Sequence, residues 1–165
     1  MVARGPIQLR TSEERLVDKV LMLRIIQQAQ KKGRLVTIPL HKLVFLSEYT
    51  MNISLIKGLN YTFFRDRFGP AAPGIYDDYM DLINSELIVD CPFKLTPKGD
   101  VLLNGMDKTF KRNGNSTIIK IIDDTVKGTP IETPAIKSKI YAMNIRLPNG
   151  KEMTIADIPF LSNKI

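Results

Sequence analysis

The sequence predicts a mainly α chain with a small amount of β structure, an α+β fold class. Three observations predict it. Apolar residues recur at helical spacing through residues 13–32, 40–49 and 75–83. Gly-Pro, Pro-Gly and Thr-Pro pairs stand between those runs and set their boundaries. Two short apolar runs, 87–89 and 93–95, flank Asp90-Cys91-Pro92 and read as a tight hairpin.

The first helix spans about Glu13 to Lys32. Thr11 and Glu14 form a capping box at its start, and Gly33 suits the left-handed end. Leu16, Val20, Leu23 and Ile26 make its apolar stripe, widened by Val17, Leu21 and Ile25. Thr37 is the expected cap of a second helix, with Pro39 in the first turn and Leu40, Leu43, Val44 and Leu46 on its inner side. Residues 53–60 read as a loop, and Tyr61–Phe64 as a β-prone run.

Pro73-Gly74 leads into a third helix, about Gly74 to Glu86, with Ile75, Tyr79, Leu82 and Ile83 on one side. After the hairpin, Thr96-Pro97 caps a fourth helix whose apolar turn is Val101–Leu103. The polar stretch Lys108–Ser116 is the best linker candidate. A helix ending at Gly128 follows, then one opening at Thr133-Pro134. A hairpin closes the chain, MNIRL and KEMTI around Pro148-Asn149-Gly150.

That order of elements is a winged-helix-like helical domain, residues 1–107, with a C-terminal helix and hairpin extension, residues 108–165, packed on the first.

LHKLVFLSEY, RFGPAAPGIYDDYMDLINSELI and FKLTPKGDVLL resemble the YwgA-like group of archaeal and bacterial proteins. More distantly they are similar to the Panacea (SocA-like) antitoxin domain. The resemblance spans roughly residues 12–105. It rests on Leu40, Lys42, Leu43, Val44, Phe45 and Leu46, on the turn Phe68-Gly69-Pro70, and on Leu87, Ile88, Leu95, Thr96 and Gly99. His41 departs from it, standing where glutamine is expected. The YwgA-like resemblance implies a helical winged scaffold. The Panacea resemblance implies neutralisation of a toxin by direct protein contact.

Catalytic constellations are missing from the sequence. His41 is the only histidine, with no nucleophile motif or orienting acid beside it, and reads as a surface or half-buried residue. One His and one Cys do not make a zinc site. Asp77, Asp78 and Asp81 crowd one side of the third helix; a solvated acidic face explains them better than a cation site, which needs more oxygen ligands. The expectation is no enzyme activity, no cofactor and no metal. Cys91, the only cysteine, suits a reducing compartment. The absence of an apolar leader or membrane-length stretch points to the cytoplasm.

Net charge is +7 and the pI near 9.5, which favours a polyanionic partner. The charge is uneven. Residues 1–36 carry eight basic and three acidic groups, residues 37–90 four and seven, and residues 91–165 twelve and seven. The third helix has no Lys or Arg, so it is a poor reader of the major groove. Double-stranded DNA would be met by Arg15, Lys19 and Arg24 of the first helix, by Lys94 and Lys98, and by Lys108, Lys111 and Arg112. Tyr61, Phe63, Arg65 and Arg67 alternate onto one strand face, where the two aromatics are expected to fill the core.

The leading expectation is a non-enzymatic regulator associating with nucleic acid through basic surface outside the third helix. The alternative is an antitoxin-type module that binds and neutralises a partner protein through Phe68, Gly69, Pro70, Tyr76, Asp77 and Asp81. Either allows a homodimer built on the edge of the C-terminal hairpin.

Overall fold

A computed structural model describes residues 9–66, 69–146 and 152–154. These form a mainly helical protein with three two-stranded antiparallel sheets.

The first helix, α1, is Ser12–Gln30. Its capping box forms as expected: Glu14 N donates to Thr11 Oγ1 at 3.1 Å, and Thr11 N donates to Glu14 Oε1 at 2.9 Å. Leu21, Met22, Leu23, Ile25, Ile26 and Ala29 are all buried, covering most of the helix circumference. A helix apolar on so many sides must be surrounded, and α1 is packed by elements from the whole chain. The expected stripe fails only at its start. Leu16 is 62% exposed, and Val17 is exposed beside it, because none of the described residues covers the first turns of α1 on that side.

Helix α2 is Thr37–Ile53. Thr37, expected as its cap, is its first helical residue; Val36 holds the cap position without a side-chain bond. Leu40, Leu43, Val44, Phe45 and Leu46 are buried, and so are Lys42, Ser47 and Glu48. Tyr61 and Phe63 are buried too, in extended chain before the strand β1, Phe64–Asp66. Phe63 meets Phe45 edge-on, at 5.2 Å between ring centroids. The two aromatics therefore fill the core. Arg67 lies outside the described residues, as does the side chain of Arg65. Strand β2, Gly69–Ala71, pairs antiparallel with β1.

Helix α3 is Pro73–Asn84 and buries Ile75, Asp78, Tyr79 and Leu82. Strands β3 (Ile88–Val89) and β4 (Lys94–Leu95) make the expected hairpin, pairing Ile88 with Leu95 and Val89 with Lys94. The hairpin packs behind α3, where Phe93 stands edge-on to Tyr79 at 5.1 Å. It also lies along the end of α1. Phe93 N donates to Leu35 O, and Leu95 N to Gln30 Oε1, both at 2.8 Å.

Thr96 caps α4, Pro97–Asn104, accepting from Gly99 N at 3.1 Å. Only Leu103 of the expected apolar turn is buried. Val101 is 72% exposed and Leu102 is exposed as well, since one side of so short a helix faces the core. The stretch read as a linker carries α5, Asp107–Phe110, and Phe110 packs against the core. Helix α6 (Asn115–Lys127) crosses α1 and α2, and α7 (Thr133–Tyr141) packs on α2 and β2. Strands β5 (Asn144–Arg146) and β6 (Glu152–Thr154) pair as the C-terminal hairpin; its Pro148-Asn149-Gly150 turn is outside the described residues. One continuous apolar core runs from Leu21 to Ile145.

Gly99 sits where the hairpin meets α4, and a Cβ there would collide with the carbonyl oxygen of Leu87. Backbone cannot swing aside as a flexible side chain can. Gly99→Ala is expected to destabilise the fold by about 2 kcal/mol through overpacking. A urea unfolding midpoint equal to that of the unmodified protein would contradict this.

Candidate functional site

The densest polar chemistry in the molecule is inside it. Asp18 lies on the buried side of α1, one turn before Met22, and is fully buried. Asp78 lies on the inner side of α3 and is also fully buried. Arg10, from the segment before α1, reaches between them. Its Nη1 donates to Asp18 Oδ2 at 2.8 Å and to Asp78 Oδ2 at 2.7 Å, and its Nη2 donates to Asp78 Oδ1 at 3.1 Å. Planar and double-pronged, a guanidinium can satisfy two carboxylates at once.

Further donors come from the segment after α2. Asn60 donates to Asp18 Oδ1 through its backbone N at 2.8 Å and its Nδ2 at 3.1 Å. Tyr61 OH donates to Asp78 Oδ2 at 2.6 Å, and Tyr61 N to Glu48 Oε1 at 2.8 Å. The Arg10 guanidinium lies 4.9 Å from the Tyr61 ring centroid. Gly74 makes room for this: a Cβ there would stand 3.0 Å from Arg10 Nη2 and 3.2 Å from Tyr61 Cδ1. That explains the Pro73-Gly74 entry to α3.

Burial governs the protonation of this cluster. It pushes Asp18 up to about 6, against the opposing pull of Arg10 and Asn60. It raises Glu48 well above the ordinary carboxyl range, with the Asp18 charge adding to the effect. Burial likewise lifts the Tyr61 hydroxyl, reinforced by Asp78 and Asp18. For Arg10 burial works the other way, but the bonds to Asp78 and Asp18 outweigh it and the pKa is raised. Burial thus favours the neutral acid form of Glu48, while Arg10 is a fixed cation. A cleft of about 350 Å³ opens beside the cluster, lined by Arg10, Arg15, Asn60, Tyr61, Gly74 and Asp77. Among the described residues no group of three His, Cys, Asp or Glu side chains is placed to hold a metal ion.

The acidic face expected on α3 needs correcting. Asp78 is inside the protein, and Asp81 pairs with Arg15 at 3.4 Å and Lys19 at 3.5 Å. Among the described residues only Asp77 of these three is exposed without an ion pair. The same contacts occupy the first-helix cations. Arg15 and Lys19 meet Asp81, and Arg24 grips Asp123 of α6 with two bonds of 2.9 and 2.7 Å. Lys94, Lys98, Lys108, Lys111 and Arg112 are exposed and have no carboxylate at ion-pair distance among the described residues; Lys98 donates to Ser85 O at 3.0 Å.

Of the residues expected to meet a protein, Gly69 and Pro70 are buried, and Pro70 O accepts from Lys42 Nζ at 2.9 Å. They are not available as a contact surface. Phe68 lies outside the described residues. Tyr76 is 54% exposed, edge-on to Tyr79 at 5.2 Å. His41 is half-buried on α2, as expected.

No known family model, curated protein or solved structure matches the chain.

Glu48→Gln copies the neutral acid while keeping an acceptor for Tyr61 N. An unfolded glutamate titrates near 4.5, whereas the folded protein holds this proton to much higher pH. Folded chains therefore bind more protons than unfolded ones above that value, and stability falls as pH rises through the window. Urea midpoints at pH 5 and pH 8 are expected to differ less in Glu48→Gln than in the unmodified protein. A wider gap in the variant would contradict the assignment.

Proposed function

We propose that the chain is a non-enzymatic winged-helix regulator that associates with nucleic acid through basic surface outside α3. The order α1, α2, β1–β2, α3, β3–β4 hairpin, α4, with the second hairpin between α3 and α4 as the wing, supports the winged-helix reading. Fold order alone does not decide function, because one scaffold hosts many roles. The pairing of charges carries the argument. Three of the eight candidate cations, Arg15, Lys19 and Arg24, are held by carboxylates of the same chain. The other five, on the hairpin, α4, α5 and the α5–α6 connection, have none among the described residues. A net +7 that is not neutralised internally is free to displace the counterions condensed on a polyphosphate.

α3 is a lesser obstacle than its composition suggests. Two of its three aspartates are paired, Asp78 with Arg10 and Asp81 with Arg15 and Lys19, so of the three Asp77 alone has no ion pair among the described residues. It still offers no Lys or Arg to base edges, so binding through this protein is expected to be backbone-directed and weak in sequence preference.

Affinity for a mixed-sequence duplex, measured between 50 and 200 mM salt, tests the proposal. With about four phosphate contacts, affinity is expected to fall by roughly 10²-fold over that range. A weak, flat response would overturn it. The antitoxin-type reading would then take its place, favoured by the exposed Tyr76 next in sequence to Asp77, which lines the cleft and has no ion pair among the described residues; Tyr76→Ala should then abolish retention of the partner protein, and retention unchanged would remove that reading too.

A further inference from the structure

We infer that a basic stripe running from Lys94 across Arg34, Lys31 and Lys32 to Lys127 and Lys139 is the surface that binds the phosphate backbone of duplex nucleic acid. The inference rests on the nucleic-acid reading above. It assigns the contact to residues that sequence spacing does not bring together.

The stripe is assembled by three separate contacts. Strand β4 lies along the chain leaving α1, through the 2.8 Å bonds from Phe93 N to Leu35 O and from Leu95 N to Gln30 Oε1. This puts Lys94 next to the Lys31–Arg34 run. Lys32 then crosses to the end of α6, where its Nζ donates to Val126 O at 2.7 Å, to Lys127 O at 3.3 Å and to Thr129 O. Lys139, from α7, reaches the same end, donating to Gly128 O at 3.0 Å and to Thr129 Oγ1 at 3.2 Å. Lys32 and Lys139 thus cap the carbonyl end of α6 and neutralise its partial negative charge. Burial lowers the pKa of Lys32, nearby Lys139 lowers it further, and Glu132 opposes both.

All six side chains belong to exposed residues. Among the described residues none of them has a carboxylate at ion-pair distance; Glu132 is the acid that acts on Lys32. The Lys108–Arg112 segment is shorter and has Asp107 beside it.

The chemistry of the stripe selects its partner. Segments 31–34 and 127–129 expose no large apolar side chain. A protein partner would want an aromatic or aliphatic anchor there, and a membrane surface would want apolar residues to insert. Single strands would want aromatic rings for stacking. Val89, paired with Lys94, and Tyr141, near Lys139, are exposed at the two ends of the stripe, but its middle is a row of ammonium and guanidinium groups without any of these, which suits the regularly spaced phosphates of a duplex.

The test uses the full chain, a short mixed-sequence duplex and fluorescence anisotropy at 50 mM salt. One variant carries Lys31→Glu, Arg34→Glu and Lys127→Glu; Lys32 and Lys139 are spared because they cap α6. A second carries Lys108→Glu, Lys111→Glu and Arg112→Glu. Thermal melts confirm that both fold. The first variant is expected to lose at least about 30-fold in affinity and to flatten the log–log salt slope by about 3, and the second to lose less than about 10-fold with a smaller change of slope. If the second variant carries the loss, or the first binds normally, the inference is overturned and the nucleic-acid reading stands. If the unmodified protein shows no salt-dependent duplex binding, both fall. Capture by anionic phosphatidylserine vesicles with no capture by duplex also overturns the inference.

Discussion

One guanidinium holds three parts of the chain in register. Arg10 joins the segment before α1, the buried side of α1 through Asp18, and the inner side of α3 through Asp78. Burying carboxylates is expensive unless each oxygen finds a donor. Here Arg10, Asn60 and Tyr61 supply those donors, and each can do so only while the others stay in place. The glycine at position 74, the extended run 60–63 and the inward turn of α3 are consequences of fitting one planar cation between two acids.

Charge pairing of this kind also settles which surfaces remain electrically active. Asp78 of α3 cancels a charge on the segment before α1, and Asp81 cancels charges on α1 itself. Arg15 and Lys19 spend their charge on Asp81, and Arg24 spends its own on Asp123. Part of the remaining positive excess gathers at the other end of α1. There α6 and α7 deliver their carbonyl ends and lysines, and the β3–β4 hairpin lies alongside. The acidic core and the basic stripe are two results of the same sorting.

Local signals were legible and long-range ones were not. Thr11 with Glu14, Thr96 with Pro97, and Gly128 mark helix ends because capping is a matter of three or four neighbouring residues. The β3–β4 hairpin is legible for the same reason. Asp78 looks like a surface acid because its neighbours Asp77 and Asp81 are acids; its partner Arg10 is 68 residues away in a stretch with no periodicity. Some signal existed. Asp18 falls in helical step with Met22, Ile25 and Ala29, and Glu48 with Val44 and Met51, so each is a lone acid in an apolar row. Val101 and Leu16 mislead in the opposite direction, since periodicity shows a face but not whether anything covers it.

The coupling between Arg10 and Asp78 is the quantity on which the arrangement turns. A double-mutant cycle with Arg10→Met and Asp78→Asn, read by urea unfolding at pH 7, measures it directly. A fork that locks α3 to the segment before α1 predicts a coupling energy of about 2 kcal/mol between the two changes. Single-variant losses that add to within about 0.5 kcal/mol would mean that the two residues act independently, and that something else orients α3.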